Sequence, residues 1–345
     1  MRFGLQLGYW GAAPPANAAD LVVAAEAAGF DAVFTAEAWG SEAFTPLAWW
    51  GSATSRVRLG TSVVQLSART PTATAMAALT MDHLSGGRHI LGLGVSGPQV
   101  VEGWYGQSFA KPLQRTREYV EIIRRVLARQ GPVTYAGAQH RLPYDGPAST
   151  GLGKPLKPIT HPLRADLPIW LGAEGPKNVA LTAEIADGWL AIYYAPRLAD
   201  MYNEWLDEGF SRPGARRSRK DFEIAATCQV VITDDPRAEI DRMKPVTALY
   251  IGGMGAEELN FHAQVYRRMG YGAEVDEITR LFRSGRKDEA AAVIPDQLIL
   301  DTAIIGDEQH VREQLKVWEA AGVTMLLVTA RDEQQMRRLT ALAEP

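Results

Sequence analysis

The sequence predicts an α/β chain folded as a closed (β/α)8 TIM barrel, with insertions at the C-terminal mouth. Three observations carry that reading. Apolar runs of strand length alternate with helix-length runs along almost the whole chain. The first three strand–helix units repeat at roughly thirty residues, typical of βαβ units. About eight strands can be counted in this way, and 345 residues are enough for one barrel domain over 1–345 with insertions. An open doubly wound sheet is the competing arrangement of the same elements.

The elements follow in order. "RFGLQLGYW" is a buried strand. "NAADLVVAAEAAGF" is a helix with Asn17 as N-cap and Gly29 as its stop. "DAVFTAEAW" is the second strand. "TPLAWWGSATS" is a helix capped by Thr45 with Pro46 at its first position. "VRLGTSVVQL" is the third strand. "TPTATAMAALTMDHLSGG" is a helix opened by Thr-Pro and closed by Gly86 and Gly87, and "HILGLGVSG" is the fourth strand. After the helix "LQRTREYVEIIRRVLAR", residues of about 131–165 break the alternation and read as an insertion. "LPIWLGAEG" and "PKNVALTAEIADGW" resume it, and "LAIYYA" and "FEIAATCQVVIT" are further strands. A second, mainly helical insertion spans about 244–300 and contains the Gly-rich "IGGMGAEE". "EQHVREQLKVWEAAG" and "VTMLLVTA" close the pattern. Insertions that follow barrel strands line the active-site end.

Composition narrows the function. Hydrophobic residues are 46% and charged residues 22% of the chain, so a large core is available. The formal net charge is -4. The basic run "RPGARRSRK" at 212–220 lacks interleaved aromatics and reads as a solvated loop, so no nucleic-acid partner is expected. Cys228 is the single cysteine, which excludes intramolecular disulfides and suits a reducing cytoplasm. "MRFGLQLGYWG" has no long apolar segment after its arginine, so no secretion signal is expected. No apolar run approaches the eighteen or so residues of a membrane span. The six histidines show no paired ligand spacing, so no metal is expected. No G-x-S-x-G nucleophile motif appears.

Gly92, Gly94 and Gly97 spell G-x-G-x-x-G in "ILGLGVSGPQ". A dinucleotide site needs a helix starting at the third glycine, with free N–H groups facing a pyrophosphate. Here Gly103, Gly106 and Pro112 end any helix begun at Pro98 almost at once, and the motif lies on the fourth strand, not the first. A crowded strand end where glycine lets backbone approach a ligand is the better reading. "GAEGPKN" at 172–178 is the stronger phosphate candidate. It follows a buried strand, Gly175 permits close approach, Pro176 suits a first helical turn, and the N–H groups of Lys177 and Asn178 face outward. Glu37 ends the second strand, where barrel enzymes place catalytic side chains. His262, in the second insertion, is a candidate on the substrate side. His83 reads as a capping or packing residue. Trp39, Trp49, Trp50, Trp104 and Tyr105 are candidates to wall a flat ring, although core packing is the default for aromatics.

The strings "GLQLGYWG", "AAGFDAVFTAEAWG", "RVRLGTSVVQLSARTP", "MDHLSGGRHILGLGVSGPQVVEGWYG", "IWLGAEGPKNVALTAEIADGW" and "IIGDEQHVREQLKVWEAAGVTMLLV" resemble the luciferase-like oxidoreductases. They resemble closely the branch that uses the deazaflavin coenzyme F420, and the likeness covers nearly the whole chain. It implies a cofactor at the C-terminal mouth and a non-proline cis peptide at Ser62–Val63, forming a bulge behind the ring. By matching positions, Glu37 is the acidic residue near the ring and Gln65 the polar residue after the bulge. Val95 and Ser96 are the backbone beside the ring, with Gly97 following. Glu174, Gly175, Pro176, Lys177 and Asn178 form the phosphate loop.

Two departures bear on activity. The family's sugar-phosphate dehydrogenases carry a His after the acidic residue and a Glu after the Ser96 position. This chain has Ala38 and Gly97. Oxidising an alcohol needs a base for the hydroxyl proton, so the expectation is a reductase acting on a small organic acceptor, with Glu37 and His262 as candidate catalytic groups. The alternatives are an FMN-dependent monooxygenase of the same fold and a cofactor-binding protein without catalysis. A homodimer is implied by the family.

Overall fold

A computed structural model of the protein describes residues 1–255 and 260–344. Ala256, Glu257 and Glu258 of the "IGGMGAEE" run lie outside them. Eight parallel strands form the barrel: β1 (Arg2–Gly8), β2 (Ala32–Thr35), β3 (Arg58–Thr61), β4 (His89–Gly94), β5 (Ile169–Gly172), β6 (Gly188–Ala191), β7 (Glu223–Thr227) and β8 (Met325–Val328). Neighbours in the barrel are neighbours in the chain. The sheet closes where β8 pairs with β1, Arg2 opposite Met325, and where β3 pairs with β4, Leu59 opposite His89. The open-sheet alternative is thereby set aside.

Helices wrap this sheet: α1 (Ala18–Ala27), α2 (Phe44–Gly51), α3 (Pro71–Leu84), α4 (Pro112–Ala128), α5 (Pro176–Ile185), α6 (Ala199–Phe210), α7 (Glu308–Ala320) and α8 (Glu333–Ala343). Their ends follow local chemistry. The Thr70 hydroxyl accepts the Ala73 N–H at 3.3 Å and Pro71 takes the first position of α3. The same reading fails at α2. Thr45 lies inside that helix, because the Glu42 carboxylate accepts the N–H groups of Phe44 and Thr45 and starts the turn earlier. Asn17 stands at the N-cap of α1 but makes no side-chain cap bond.

The barrel interior is filled rather than open. Phe34 and Trp170 stack inside it at 5.8 Å, with Ile90, Leu190, Met325 and Leu327 around them. The ends of the strands opposite the mouth carry ion pairs: Arg2 with Glu223, and Arg58 with Asp31.

"FEIAATCQVVIT" is not one strand. It bends at buried Cys228, whose N–H donates to Leu327. The following stretch Gln229–Ile232 leaves the barrel and pairs in parallel with Ala303–Gly306, a strand the sequence pattern did not reveal. Between these two strands lie the helices Pro236–Gly252, Phe261–Arg268, Gly272–Arg283, Lys287–Ala292 and Asp296–Leu300, with a core of their own around Ile251, Tyr266, Ile278, Leu281 and Leu298. The helical segment begins earlier than the sequence reading placed it, because Asp235 caps it through the Ala238 N–H. The other insertion joins α4 to β5 and so is rooted at the opposite end of the barrel. Its hairpin, Tyr135–Ala136 with Arg141–Leu142, runs back along α4, where Glu118 accepts the N–H groups of Ala138, Gln139 and His140.

The basic run at 212–220 is not a freely solvated loop. Arg216 and Arg217 each donate to the Asp187 carboxylate at 2.7 Å, and Arg212 reaches Glu184 at 2.8 Å. The run ties the chain to the end of α5 and the start of β6, so the sequence assignment is corrected.

His89 opens β4 and is fully buried, its Nδ1 donating to the Leu59 carbonyl at 2.9 Å. Burial disfavours the charged ring and lowers its pKa from 6.5 to about 4. Between those values the unfolded chain binds a proton that the folded chain refuses. Stability that is complete above pH 6.5 is therefore lost as the pH falls toward 4, by about 3 kcal/mol. In urea unfolding at pH 7 and pH 4.5, His89→Gln is expected to lose less stability than wild type between the two conditions. Equal losses would remove His89 as the source.

Candidate functional site

The mouth forms where β1 to β6 end. After β3 the chain passes a cis peptide between Ser62 and Val63 and returns as Val64–Gln65, which pairs with Leu93 and Gly94 of β4. This detour is held from several sides. Thr35 accepts the Ser62 N–H at 2.7 Å, and Val63 accepts the Glu37 N–H at 3.2 Å. The Glu37 carboxylate accepts the Gln65 N–H at 2.9 Å, while the Gln65 amide group donates to the Glu37 carbonyl at 3.2 Å. Arg69 binds the other Glu37 oxygen at 2.7 Å and Glu42 at 2.8 Å. The structure thus places Glu37 as a buried, paired anion whose contacts position Gln65.

With its NH2 spent on Glu37, Gln65 presents Oε1 as a buried acceptor with no partner among the described residues. Gln6 does the same: its NH2 lies 3.4 Å from Ser62 Oγ, and its Oε1 is buried and unpartnered. A buried acceptor without a donor costs about 1–3 kcal/mol. Two of them touching one short detour mark a place for a ligand that brings N–H groups.

The glycine motif beside the detour has a packing cause. A Cβ on Gly92 would sit 1.8 Å from the Thr61 carbonyl oxygen, and one on Gly94 would sit 2.5 Å from Val63 Cγ2. The crowding at these two glycines comes from the end of β3 and from the detour that follows it. Ser96, not Gly97, takes the left-handed backbone, at φ 59°. Gly97 is extended and precedes the short helix Pro98–Gly103. Val95 lies between the detour and that turn.

At the end of β5, Gly175 is the N-cap of α5 and Pro176 its first residue. The Gly175 carbonyl accepts the N–H groups of Asn178 at 3.0 Å and Val179 at 2.9 Å. The Asn178 amide is therefore engaged within the turn, while the Lys177 N–H has no partner among the described residues. Arg268, which the sequence reading missed, donates to the Glu174 carbonyl at 3.2 Å and brings its guanidinium next to Gly175. Nothing local in "VYRRMGY" separates it from Arg267, which pairs instead with Asp276. Only the folding of the helical insertion over the end of β5 does so. A carboxylate in this positive corner would oppose an anion. The Glu174 side chain turns away to His262, with Oε1 3.1 Å from Nδ1. That contact lies off the hydrogen-bonding line, and among the described residues Glu174 Oε2 and His262 Nδ1 have no aligned partner.

The aromatics do not form one wall. Trp49 and Trp104 are exposed, Trp50 packs on Trp10 at 6.0 Å, and Trp39 is half exposed. Tyr105 lies close enough to Glu37 that burial and that charge both raise its pKa. A second group was not foreseen: Tyr193, in left-handed backbone at the end of β6, with Tyr250 and Tyr266 of the insertion and Tyr9 after β1. His83 bonds the His161 carbonyl at 2.8 Å, a packing contact.

Comparison with known proteins agrees with this architecture. The model of the family described as luciferase-like monooxygenase matches residues 2–325. A Mycobacterium tuberculosis protein named "Putative coenzyme F420-dependent oxidoreductase" is 74% identical over 99% of both chains. The 5,10-methylenetetrahydromethanopterin reductase of Archaeoglobus fulgidus is 29% identical over 79% of this chain and 77% of its own. Among solved structures, the coenzyme F420-dependent tetrahydromethanopterin reductase of Methanopyrus kandleri superposes with a TM-score of 0.78 at 23% identity, covering 98% of this chain and 96% of that one. That last likeness speaks for the barrel fold. Matched over almost its whole length, the chain belongs to the luciferase-like monooxygenase family.

Proposed function

We propose that this chain binds coenzyme F420 at the barrel mouth and transfers a hydride between it and an unidentified organic substrate, working chiefly as a reductase. The observation that carries the reading is the 74% identity, over 99% of both chains, to the Mycobacterium tuberculosis protein whose name assigns it that coenzyme. When bound, the deazaflavin supplies the carbon that gives or takes the hydride. The residues present suit such a group. Gln65 and Gln6 offer acceptors to ring N–H groups, and Ser62, Val63, Val95, Ser96 and Gly97 supply backbone around them. Gly175, Pro176, Lys177 and Asn178 open α5 toward a phosphate, with the cations of Lys177 and Arg268 beside it. Glu37 positions Gln65 rather than meeting the ring directly. Ala38 and Gly97 supply no base at the two positions where the family's sugar-phosphate dehydrogenases carry a His and a Glu, so the activity proposed is not that of a sugar-phosphate dehydrogenase. The protein's part is to hold the acceptor in line with the hydride and to keep water out.

The test is a fluorescence titration with F420 and, in parallel, FMN. Micromolar binding of F420 with weak FMN binding supports the proposal. The reverse preference moves the chain to FMN-dependent monooxygenation, the chemistry in the family's own description. Tight binding with no turnover on any acceptor leaves a cofactor-binding protein. Arg268→Ala is expected to weaken F420 binding about tenfold or more, since a hydrogen bond to a charged group contributes about 1.5–3 kcal/mol. Unchanged affinity would remove Arg268 from the phosphate site. A cytoplasmic homodimer is part of the same reading, supported by the family resemblance and by a single, buried cysteine. Light scattering at micromolar concentration tests the dimer.

A further inference from the structure

We infer that the Glu174–His262 pair is the proton-transfer group of this site: His262 donates through Nε2 to the acceptor, and Glu174 positions its ring. The inference rests on the hydride-transfer reading above and names the residue that completes it. Reducing a C=O or a polarised C=C needs a proton as well as a hydride.

The mouth offers few proton carriers. The Glu37 carboxylate is buried and held by Arg69 and by the Gln65 N–H. Positions 38 and 97 are Ala and Gly. Tyr193 is half-buried, and desolvation pushes its hydroxyl well above the usual phenol range. Burial and the neighbouring Tyr9 raise Tyr250 as well. Cys228 is buried in the barrel wall.

His262 differs in placement. It lies in the first turn of Phe261–Arg268, and that turn packs against residues that follow barrel strands β5 and β6. Glu174, after β5, lies 3.1 Å from Nδ1. Tyr193, after β6, packs edge-on to the His262 ring at 5.7 Å. Tyr250 packs at 5.1 Å and its hydroxyl is 3.3 Å from that of Tyr9, after β1. The neighbouring Phe261 ring is 6.2 Å from Phe109, beyond β4. The ring is thus held beside the ends of β5 and β6 on its Nδ1 side. Among the described residues Nε2 has no hydrogen-bond partner, and it is not among the buried unpartnered atoms that include Nδ1. A carboxylate that fixes one imidazole nitrogen leaves the other to do acid–base work. The off-line contact to Glu174 suits a site that tightens only around its substrate.

The step balances. Reduced deazaflavin, when bound, would supply the two electrons as a hydride, giving up one C–H bond and becoming oxidised. A new C–H bond forms on the acceptor carbon, and the π pair moves to the oxygen or the α-carbon. That atom takes the Nε2 proton of the doubly protonated ring, which becomes neutral and keeps the proton on Nδ1 facing Glu174.

The competing role for His262 is to neutralise Glu174 beside the phosphate corner. The experiment separates the two. The full-length enzyme is loaded with reduced F420, with 2-cyclohexen-1-one and 4-nitrobenzaldehyde as acceptors, and the return of F420 fluorescence is followed. In parallel, F420 binding is titrated without acceptor. His262→Asn is expected to lower kcat at saturating cofactor by about 10²–10⁴-fold and to keep F420 affinity within about twofold of wild type. His262→Gly is expected to regain turnover with added imidazole. Glu174→Gln is expected to lose about tenfold in kcat with KM little changed, and Glu174→Asp to recover part of it. If His262→Asn turns over like wild type, or loses cofactor affinity while its saturated kcat holds, the inference is wrong. If wild type binds F420 but reduces neither acceptor, the reductase reading fails and this inference falls with it; if it does not bind F420, the cofactor assignment has failed first.

Discussion

Gly92→Ala is expected to leave no folded, soluble protein. The added methyl would sit 1.8 Å from the Thr61 carbonyl oxygen and 2.9 Å from its carbon, with Leu190 Cδ1 at 2.8 Å. Thr61 cannot retreat. It ends β3 in register with Thr35 of β2, and its hydroxyl both accepts the Gly92 N–H and donates to the Gly92 carbonyl, each at 2.9 Å. That hydroxyl is the link between β3 and β4 at the point where regular pairing stops after Gly60 and Ile90. Separating the two strands there opens the barrel seam. The cost is expected to exceed about 4 kcal/mol, a large share of the 5–15 kcal/mol that holds a typical protein folded. Gly94→Ala is the control. Its methyl would meet only the Val63 side chain, at 2.5 Å, so a loss of about 1–3 kcal/mol with the fold kept is expected. Soluble yield and a circular-dichroism melt of both variants decide the matter. A Gly92→Ala protein that melts within a few degrees of wild type would show that the seam can widen.

These two glycines mark the boundary of what the sequence made legible. The strand–helix alternation, and the Thr70–Pro71 and Gly175–Pro176 helix starts, rest on chemistry within a few residues and could be read directly. The resemblance also pointed to the cis peptide at Ser62–Val63, where the structure has one. Legibility failed wherever a residue's role is set by a partner far along the chain. The ion pair of Glu37 was hidden because Arg69 lies thirty-two residues on. The packing reason for Gly92 was hidden because nothing local reveals Thr61. Arg268 and the tyrosine group were invisible because the helical insertion packs back over the strand ends from ninety-four residues away in the case of Arg268 and Glu174. The strand Ala303–Gly306 was missed because it pairs outside the barrel, with a segment that looked continuous with β7.

Arg69→Met is expected to be the second most damaging of the changes considered, and to link stability to binding. The Glu37 side chain is 2% exposed and that of Arg69 22%. Removing the cation leaves a buried carboxylate whose remaining side-chain partner is one backbone N–H, from Gln65. Breaking a buried pair from one side costs about 3–5 kcal/mol. Glu37→Gln removes the charge instead. Its amide oxygen can still accept the Gln65 N–H, and Arg69 keeps Glu42, so a loss of about 1–2 kcal/mol is expected. Adding Glu37→Gln to Arg69→Met is then expected to restore stability, because the uncompensated charge is gone; contacting residues couple by about 0.5–3 kcal/mol. Urea unfolding of the three variants checks the order. A single Arg69→Met as stable as wild type would mean that water reaches Glu37 and that the pair does not hold the detour. Cofactor titration then separates two roles for the same carboxylate. If Glu37 acts only by positioning Gln65, F420 affinity should fall in step with stability and return in the double variant. If Glu37→Gln loses affinity that stability does not account for, the carboxylate itself meets the ring, and the sequence's first reading of it as the acid beside the cofactor would be the right one.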